Sequence, residues 1–169
     1  VLVKGAQLLE SVKQLDTVVF DKTGTLTFGQ FKLISREDFS DVAKTNAIVS
    51  GLEQRSEHPI AAALADLSEQ PIQPDEVKNH PGQGIAACIQ GTDYRLGRVE
   101  FIQTWHPNWR AKPHSNVILA SRQAVLAEFQ VDDQVREDSH EVISALKRQG
   151  IRTIILTGDS DARAQKLAK

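Results

Sequence analysis

A parallel α/β domain interrupted by a separate α+β block with antiparallel strands is the fold class this sequence predicts. Three observations carry that expectation. Leu15-Asp16-Thr17-Val18-Val19-Phe20 is a short apolar run, rich in β-branched and aromatic residues, that ends on Asp21 and a glycine-containing turn. Ile151-Arg152-Thr153-Ile154-Ile155-Leu156 repeats the pattern and ends on Thr157-Gly158-Asp159. Between the two, residues 34–130 change from helical spacing to strand-like alternation. Open α/β sheets place reacting groups at the C-terminal ends of their strands, so the two end runs predict adjacent parallel strands sharing one crevice.

The elements follow in order. Leu2, Leu8, Leu9, Val12 and Leu15 recur at roughly helical spacing, which predicts a helix leading into the first strand. Phe28-Gly29-Gln30 marks an exit from the turn, with a strand over 31–35 after it. Residues 41–55 predict a helix whose buried stripe is Val42, Ile48, Val49 and Leu52. Ser56-Glu57-His58-Pro59 breaks it. Pro59 suits the first position of a further helix over 60–70, rich in Ala and Leu and stopped by Pro71. Strands are expected over 84–90, 94–97, 116–120 and 124–131, with Gly91-Thr92-Asp93 and Ser121-Arg122-Gln123 as hairpin turns. Trp105 and Trp109 fall in a loop, as packing anchors. Residues 136–149 return to helix, closed by Gly150. Strand 151–156 follows, and Ser160-Asp161 caps a last helix.

The chain has 169 residues, enough for one ordinary domain or two small ones. Basic and acidic residues nearly balance, 20 against 22, so nothing suggests nucleic acid as a partner. A single cysteine, Cys88, excludes an internal disulfide and is expected to be a small buried residue on a strand. No run approaches the roughly 18 apolar residues that span a bilayer, and no signal peptide is visible. The first residue is Val1 and not Met, so the chain reads as a soluble piece excised from something longer. His80, His106, His114 and His140 show no metal-ligand spacing.

The chemistry concentrates in Asp21-Lys22-Thr23-Gly24-Thr25-Leu26-Thr27. An exposed carboxylate at a strand tip can act as a nucleophile and form an acyl phosphate. Lys22 brings a cation, while Thr23, Gly24 and Thr25 offer hydroxyls and backbone N–H groups to phosphoryl oxygens. The plainer reading is a turn that Asp21 merely caps. Glu53 and His58, five residues apart around a helix end, are spaced to converge on a small ligand. Gly82-Gln83-Gly84 would let the backbone approach that ligand closely, although alone it is an ordinary turn.

All seven residues from Asp21 to Thr27 match the phosphorylation motif of P-type ATPases, and Thr157-Gly158-Asp159 matches the second phosphate motif. Glu53 with Ser56-Glu57-His58-Pro59, the glycine pair Gly82 and Gly84, and Asp133-Gln134-Val135-Arg136 in the hinge region extend the match. So does Val3-Lys4-Gly5-Ala6 with Leu9-Glu10, at the segment by which such pumps leave the membrane. The chain thus resembles, over essentially its whole length, the cytosolic region of heavy-metal-transporting P-type ATPases, the group that includes copper-exporting pumps. The Ser-Glu-His-Pro element carries the heavy-metal assignment. Three departures stand out. Arg98 follows Gly97 where the family usually has Asn, and Ala87 stands where a third glycine is common. The chain also stops before the family's Gly-Asp-Gly-x-Asn-Asp motif and the lysine preceding it.

The resemblance implies an incomplete HAD-like parallel-sheet phosphorylation domain over 1–33 and 131–169, interrupted over 34–130 by an α+β nucleotide-binding domain with an antiparallel sheet. It implies Asp21 as nucleophile, supported by Lys22, Thr23, Thr157, Gly158 and Asp159. Asp21 and Thr23 would contribute to an Mg²⁺ site. Glu53, His58, Gly82 and Gly84 would bind ATP, the first two at the adenine. The transmembrane and actuator domains of the parent pump are the implied partners, and the transported ion, Cu(I) first, would bind outside this chain. The parent is expected in a membrane with this region on its cytoplasmic side, and the isolated chain inactive. Thr23 stands where related phosphatases often carry a second Asp as acid/base, which favours a persistent aspartyl phosphate. Two alternatives remain: a soluble HAD-type phosphatase, and a nucleotide-binding module without turnover.

Overall fold

The computed structural model describes residues 15–156. The helix expected over 1–15 lies almost wholly outside the described residues, as do Thr157, Gly158, Asp159 and the last helix. The described elements run β1 (Thr17–Asp21), β2 (Thr27–Asp38), α1 (Val42–Glu53), β3 (Glu76–His80), β4 (Gly84–Ile89), β5 (Thr92–Gly97), α2 (Val99–Gln103), β6 (Val117–Ser121), β7 (Val125–Val135), α3 (Glu137–Arg148) and β8 (Arg152–Leu156). The chain divides into two compact units, Val1–Gly29 with Asp133–Lys169, and Gln30–Asp132.

In the first unit β1 and β8 pair in parallel, Thr17 opposite Arg152 and Asp21 opposite Leu156. The two strands predicted from the chain ends are therefore neighbours. α3 starts with Glu137 and Asp138 and ends with Lys147 and Arg148, charges that complement the helix dipole at both ends. Its last turn closes through Gly150, at φ 76°, with Gly150 N–H on the Lys147 carbonyl and Ile151 N–H on that of Leu146. That is a Schellman cap, and it feeds the chain straight into β8.

The second unit is built on a six-stranded sheet in the order β2-β7-β6-β5-β4-β3. Strands β3 to β7 pair antiparallel. β6 is buried at every position, which marks it as central. Its odd residues Val117 and Leu119 join Ile85, Leu96, Phe129 and Val131 on one face, where Ile48, Val49 and Leu52 of α1 pack with Leu64. Its even residues Ile118 and Ala120 join Phe101, Ile102 and Val125 on the other. Period-two alternation thus feeds two cores from one strand.

Five expectations are corrected. The helix expected over 60–70 is a single 3₁₀ turn, Ala61–Ala63, followed by irregular turns. Tertiary contacts override the Ala/Leu propensity there. Ser68 N–H bonds to Ser50 Oγ at 2.9 Å and Ile72 N–H to the Ala47 carbonyl at 2.9 Å, while Leu64 is fully buried. Gly51 permits this approach, since a Cβ there would fall 1.8 Å from the Ile72 carbonyl oxygen. Val42 is exposed, because α1 meets the sheet only from Thr45 onward. β2 does not exit at Phe28-Gly29-Gln30 but runs through it, with Gly29 at φ 70°. Gly91-Thr92-Asp93 is not the hairpin turn: Ile89 already pairs with Thr92, so Gln90 and Gly91, at φ 49° and 75°, make a two-residue connection. Cys88 is half-buried, on the face of β4 opposite Ile85, Ala87 and Ile89.

Candidate functional site

Asp21 ends β1 and is exposed, while the next residue, Lys22, is buried. The chain then turns through Thr23 (φ −75°, ψ 121°) and Gly24 (φ 78°, ψ −6°). These are type II turn angles, which need glycine at the second corner. Thr23 and Thr25 stay exposed, and Leu26 buries its side chain and anchors the loop. The turn therefore presents a carboxylate, two hydroxyls and a glycine backbone to solvent.

Thr27 locks this loop. Its hydroxyl accepts from Gly24 N–H at 3.2 Å and lies in donor reach of the Lys22 carbonyl at 3.0 Å and of the Asp133 carboxylate. Both Thr27 and Asp133 are buried. The Leu26 carbonyl accepts from Arg136 N–H at 2.9 Å and from Ser139 Oγ at 2.8 Å. Arg136 Nε reaches the Thr27 carbonyl at 3.3 Å, and its guanidinium lies 4.9 Å from the Phe28 ring centroid. The segment from Asp133 to Ser139 thus sets the shape of the loop that carries Asp21.

The second constellation lies in the other unit. Glu53 closes α1 with its side chain buried, and burial pushes its carboxyl up to about 7 against a hydrogen bond from Ser56. The same Ser56 hydroxyl accepts from His58 N–H at 3.2 Å, so it links the two residues. His58 is exposed, and its Nδ1 accepts from Ile60 N–H at 3.2 Å. Partial desolvation and then the Arg98 guanidinium hold its pKa below the ordinary value. In its neutral form the ring carries its proton on Nε2, since Nδ1 accepts, and it offers a flat face to a heterocycle.

Gly82 turns the chain at φ 72°, and Gln83 N–H closes that turn on the His80 carbonyl at 2.9 Å. Gly84 pairs with Gly97 across β4 and β5, so close that a Cβ on Gly97 would stand 2.3 Å from the Gln83 carbonyl oxygen. Arg98 N–H bonds to that same carbonyl at 2.8 Å. Hydrogen bonds therefore link Glu53, Ser56 and His58, and a separate one ties the Arg98 backbone to the glycine turn, while the Arg98 guanidinium acts on His58 through its charge. Sequence reasoning missed Ser56 as the link, and Asp133 with Ser139 as the loop's anchors. Ser56 left a signal by lying between the two residues it joins, and Asp133 left one in its match to the hinge region, whereas Ser139 left none.

Among the described residues no three His, Cys, Asp or Glu side chains converge as a metal site. Asp21 and Thr23 nevertheless offer the hard oxygens that Mg²⁺ takes together with phosphate and water. Trp109 Nε1 donates at 2.9 Å to the buried Glu128, and Trp105 lies between Arg95 and Arg122, at 4.1 and 4.7 Å, so both tryptophans pack. No helix among the described residues is long and apolar enough to cross a membrane.

Residues 15–169 match the haloacid dehalogenase-like hydrolase family. The chain is 38% identical over 162 residues to the nitrogen fixation protein FixI of Rhizobium leguminosarum bv. viciae, covering 94% of this chain and 21% of that protein. It is 34% identical over 177 residues to the probable copper-transporting ATPase SynA of Synechococcus, covering all of this chain and 22% of SynA. It spans about a fifth of the length of these relatives. The solved catalytic CPx-ATPase domain CopB-B shares the fold, with a TM-score of 0.74 at 24% identity over 99% of this chain and 61% of that one.

Proposed function

The chain belongs to the haloacid dehalogenase-like hydrolases, in the branch occupied by heavy-metal-transporting P-type ATPases, and from that premise we propose that it is the ATP-binding and aspartyl-phosphorylation region of such a pump. One observation carries this reading: the exposed Asp21 at the tip of a parallel strand, on a type II turn held by the buried Thr27 and Asp133. The name of SynA supports copper as the transported ion, and Cu(I) is the ion proposed here. The partners proposed are the transmembrane and actuator parts of the same pump, with this region on the cytoplasmic side.

An Asp21 carboxylate oxygen forms a bond to the γ-phosphorus as the bond to the β,γ-bridging oxygen breaks, and ADP leaves with that electron pair. The turn around Gly24 orients the carboxylate and leaves the Thr23 and Thr25 hydroxyls exposed to meet the equatorial oxygens. When bound, Mg²⁺ supplies counter-charge there, with Asp21 and Thr23 as its holders in this chain. Thr23 cannot move a proton at neutral pH, so the acyl phosphate persists. Glu53 and His58 hold the adenine, Glu53 by hydrogen bond and His58 by stacking. Gly82 and Gly84 let the backbone approach the nucleotide.

The test is phosphorylation of the longer pump that carries this chain, with γ-labelled ATP. An acid-stable, hydroxylamine-sensitive adduct that disappears in Asp21→Asn is the expected result. Rapid p-nitrophenyl phosphate turnover without ATP would mark a phosphatase instead. Nucleotide binding with no adduct would mark a non-catalytic module.

A further inference from the structure

We propose that Arg98 is the phosphate contact of the nucleotide site and selects adenosine di- and triphosphates over adenosine. The proposal rests on the reading of Glu53 and His58 as the adenine site, and it adds the other end of the ligand.

Three observations carry it. The first is placement. Gly97 and Gly84 meet with no room for a side chain, and Arg98 N–H is bonded to the Gln83 carbonyl, in the middle of the glycine turn. The backbone from which the guanidinium projects is therefore held against the segment that lets a ligand come close. The second is an unused charge. In the Gln30–Asp132 unit, all of it described, every other arginine side chain has a partner. Arg36 holds Asp38 and Asn46, Arg55 reaches Gln73, Arg95 the Phe101 carbonyl, Arg110 the Pro107 carbonyl, and Arg122 pairs with Asp93. Among the described residues, exposed Arg98 has no such hydrogen bond, ion pair or ring contact.

The third is electrostatic. Arg98 acts on His58 as a like charge, so the guanidinium lies within electrostatic reach of the imidazole proposed to stack on the base. A nucleotide stacked on a neutral His58 would carry its phosphates into this cation's reach, and a guanidinium meets phosphate oxygens with two parallel N–H donors. The adenine contacts fix which base binds. Arg98 makes the affinity depend on the phosphates.

The test titrates the chain with adenosine, AMP, ADP, ATP and inorganic tripolyphosphate, without metal, for the wild type, Arg98→Ala and Arg98→Lys. Amide shifts and binding heat are read together. The expected result is that Arg98→Ala weakens ATP and ADP by roughly tenfold, as the loss of a charge-assisted contact implies, leaves adenosine unchanged, and that Arg98→Lys falls between. An ATP-to-adenosine affinity ratio that is the same in Arg98→Ala overturns the proposal while leaving the adenine site standing. Adenosine that moves neither the Glu53 nor the His58 amide in the wild type sinks the adenine reading instead. In that case tripolyphosphate binding that needs Arg98 upholds its phosphate role, and binding that does not removes it.

Discussion

The Thr27 hydroxyl reaches the carboxylate of Asp133 across 106 positions of sequence, and both residues are buried. Within its unit this contact determines how the Asp21 turn is held, because the same hydroxyl takes the Gly24 N–H.

Thr27→Val should therefore loosen the turn. Valine keeps the volume but removes the acceptor of the Gly24 N–H and one partner of the Asp133 carboxylate, which costs about 1–3 kcal/mol locally. Hydrogen exchange at the Gly24 amide should speed up in Thr27→Val and stay slow in Thr27→Ser. Equal protection in all three proteins would show that Thr27 does not hold the loop.

Glu53 makes stability depend on pH. Its folded pKa of about 7 lies above the ordinary 4.5, so between those values the folded state keeps a proton that the unfolded chain has released. The stability tied to that proton is full below about pH 4.5 and is lost as pH rises through 7. Glu53→Gln removes this dependence. At pH 8 it should unfold at higher denaturant than the wild type, by about 2–3 kcal/mol, with the gap closing toward pH 4.5. A gap independent of pH in urea melts would contradict the burial of an ionisable Glu53.

Gly97→Ala and Gly82→Ala should differ sharply. At Gly97 the new methyl meets backbone on two sides, the Gln83 carbonyl oxygen at 2.3 Å and Gly84 Cα at 2.7 Å, so the sheet must shift. At Gly82 the space is open and only the φ of 72° opposes a side chain, at about 1–2 kcal/mol. Thermal melts should show Gly97→Ala as the more damaging change. Gly82→Ala should keep the fold and weaken nucleotide binding.

An excised fragment covering Gln30–Asp132 should fold and bind ATP. It contains both core clusters in full, from Ile48 through Val131 on one face and Phe101 through Val125 on the other. The measurement is an NMR titration, with the amides of Glu53, His58, Gly82 and Gly84 expected to move. A fragment that stays unfolded, or folds with those amides unmoved by ATP, would refute the independence of this site.

What the sequence determined by itself was local. The Asp21 turn is written in consecutive residues, and a type II turn with glycine at its second corner needs nothing distant to be recognised. Helices α1 and α3 were legible because their ends carry their own signals, the Asp41 cap on Lys44 N–H and the glycine at 150. Strands β4, β6 and β7 were legible as runs that feed buried faces, and so was the parallel partnership of β1 and β8, since both runs end in the same kind of turn. What only the tertiary structure decided depended on residues far apart in the chain. Residues 60–70 have helical propensity, yet Ser50 and Ala47 capture Ser68 and Ile72 and flatten them onto α1. β3 is a strand through its pairing with β4, although four of its five residues are exposed and its composition is polar. The anchoring of Leu26 and Thr27 by residues 133–139, and the meeting of Gly84 with Gly97 that sets Arg98 beside the glycine turn, leave no periodic trace. Propensity and turn chemistry act over a few residues, whereas a hydrogen bond between distant side chains depends on where packing delivers them.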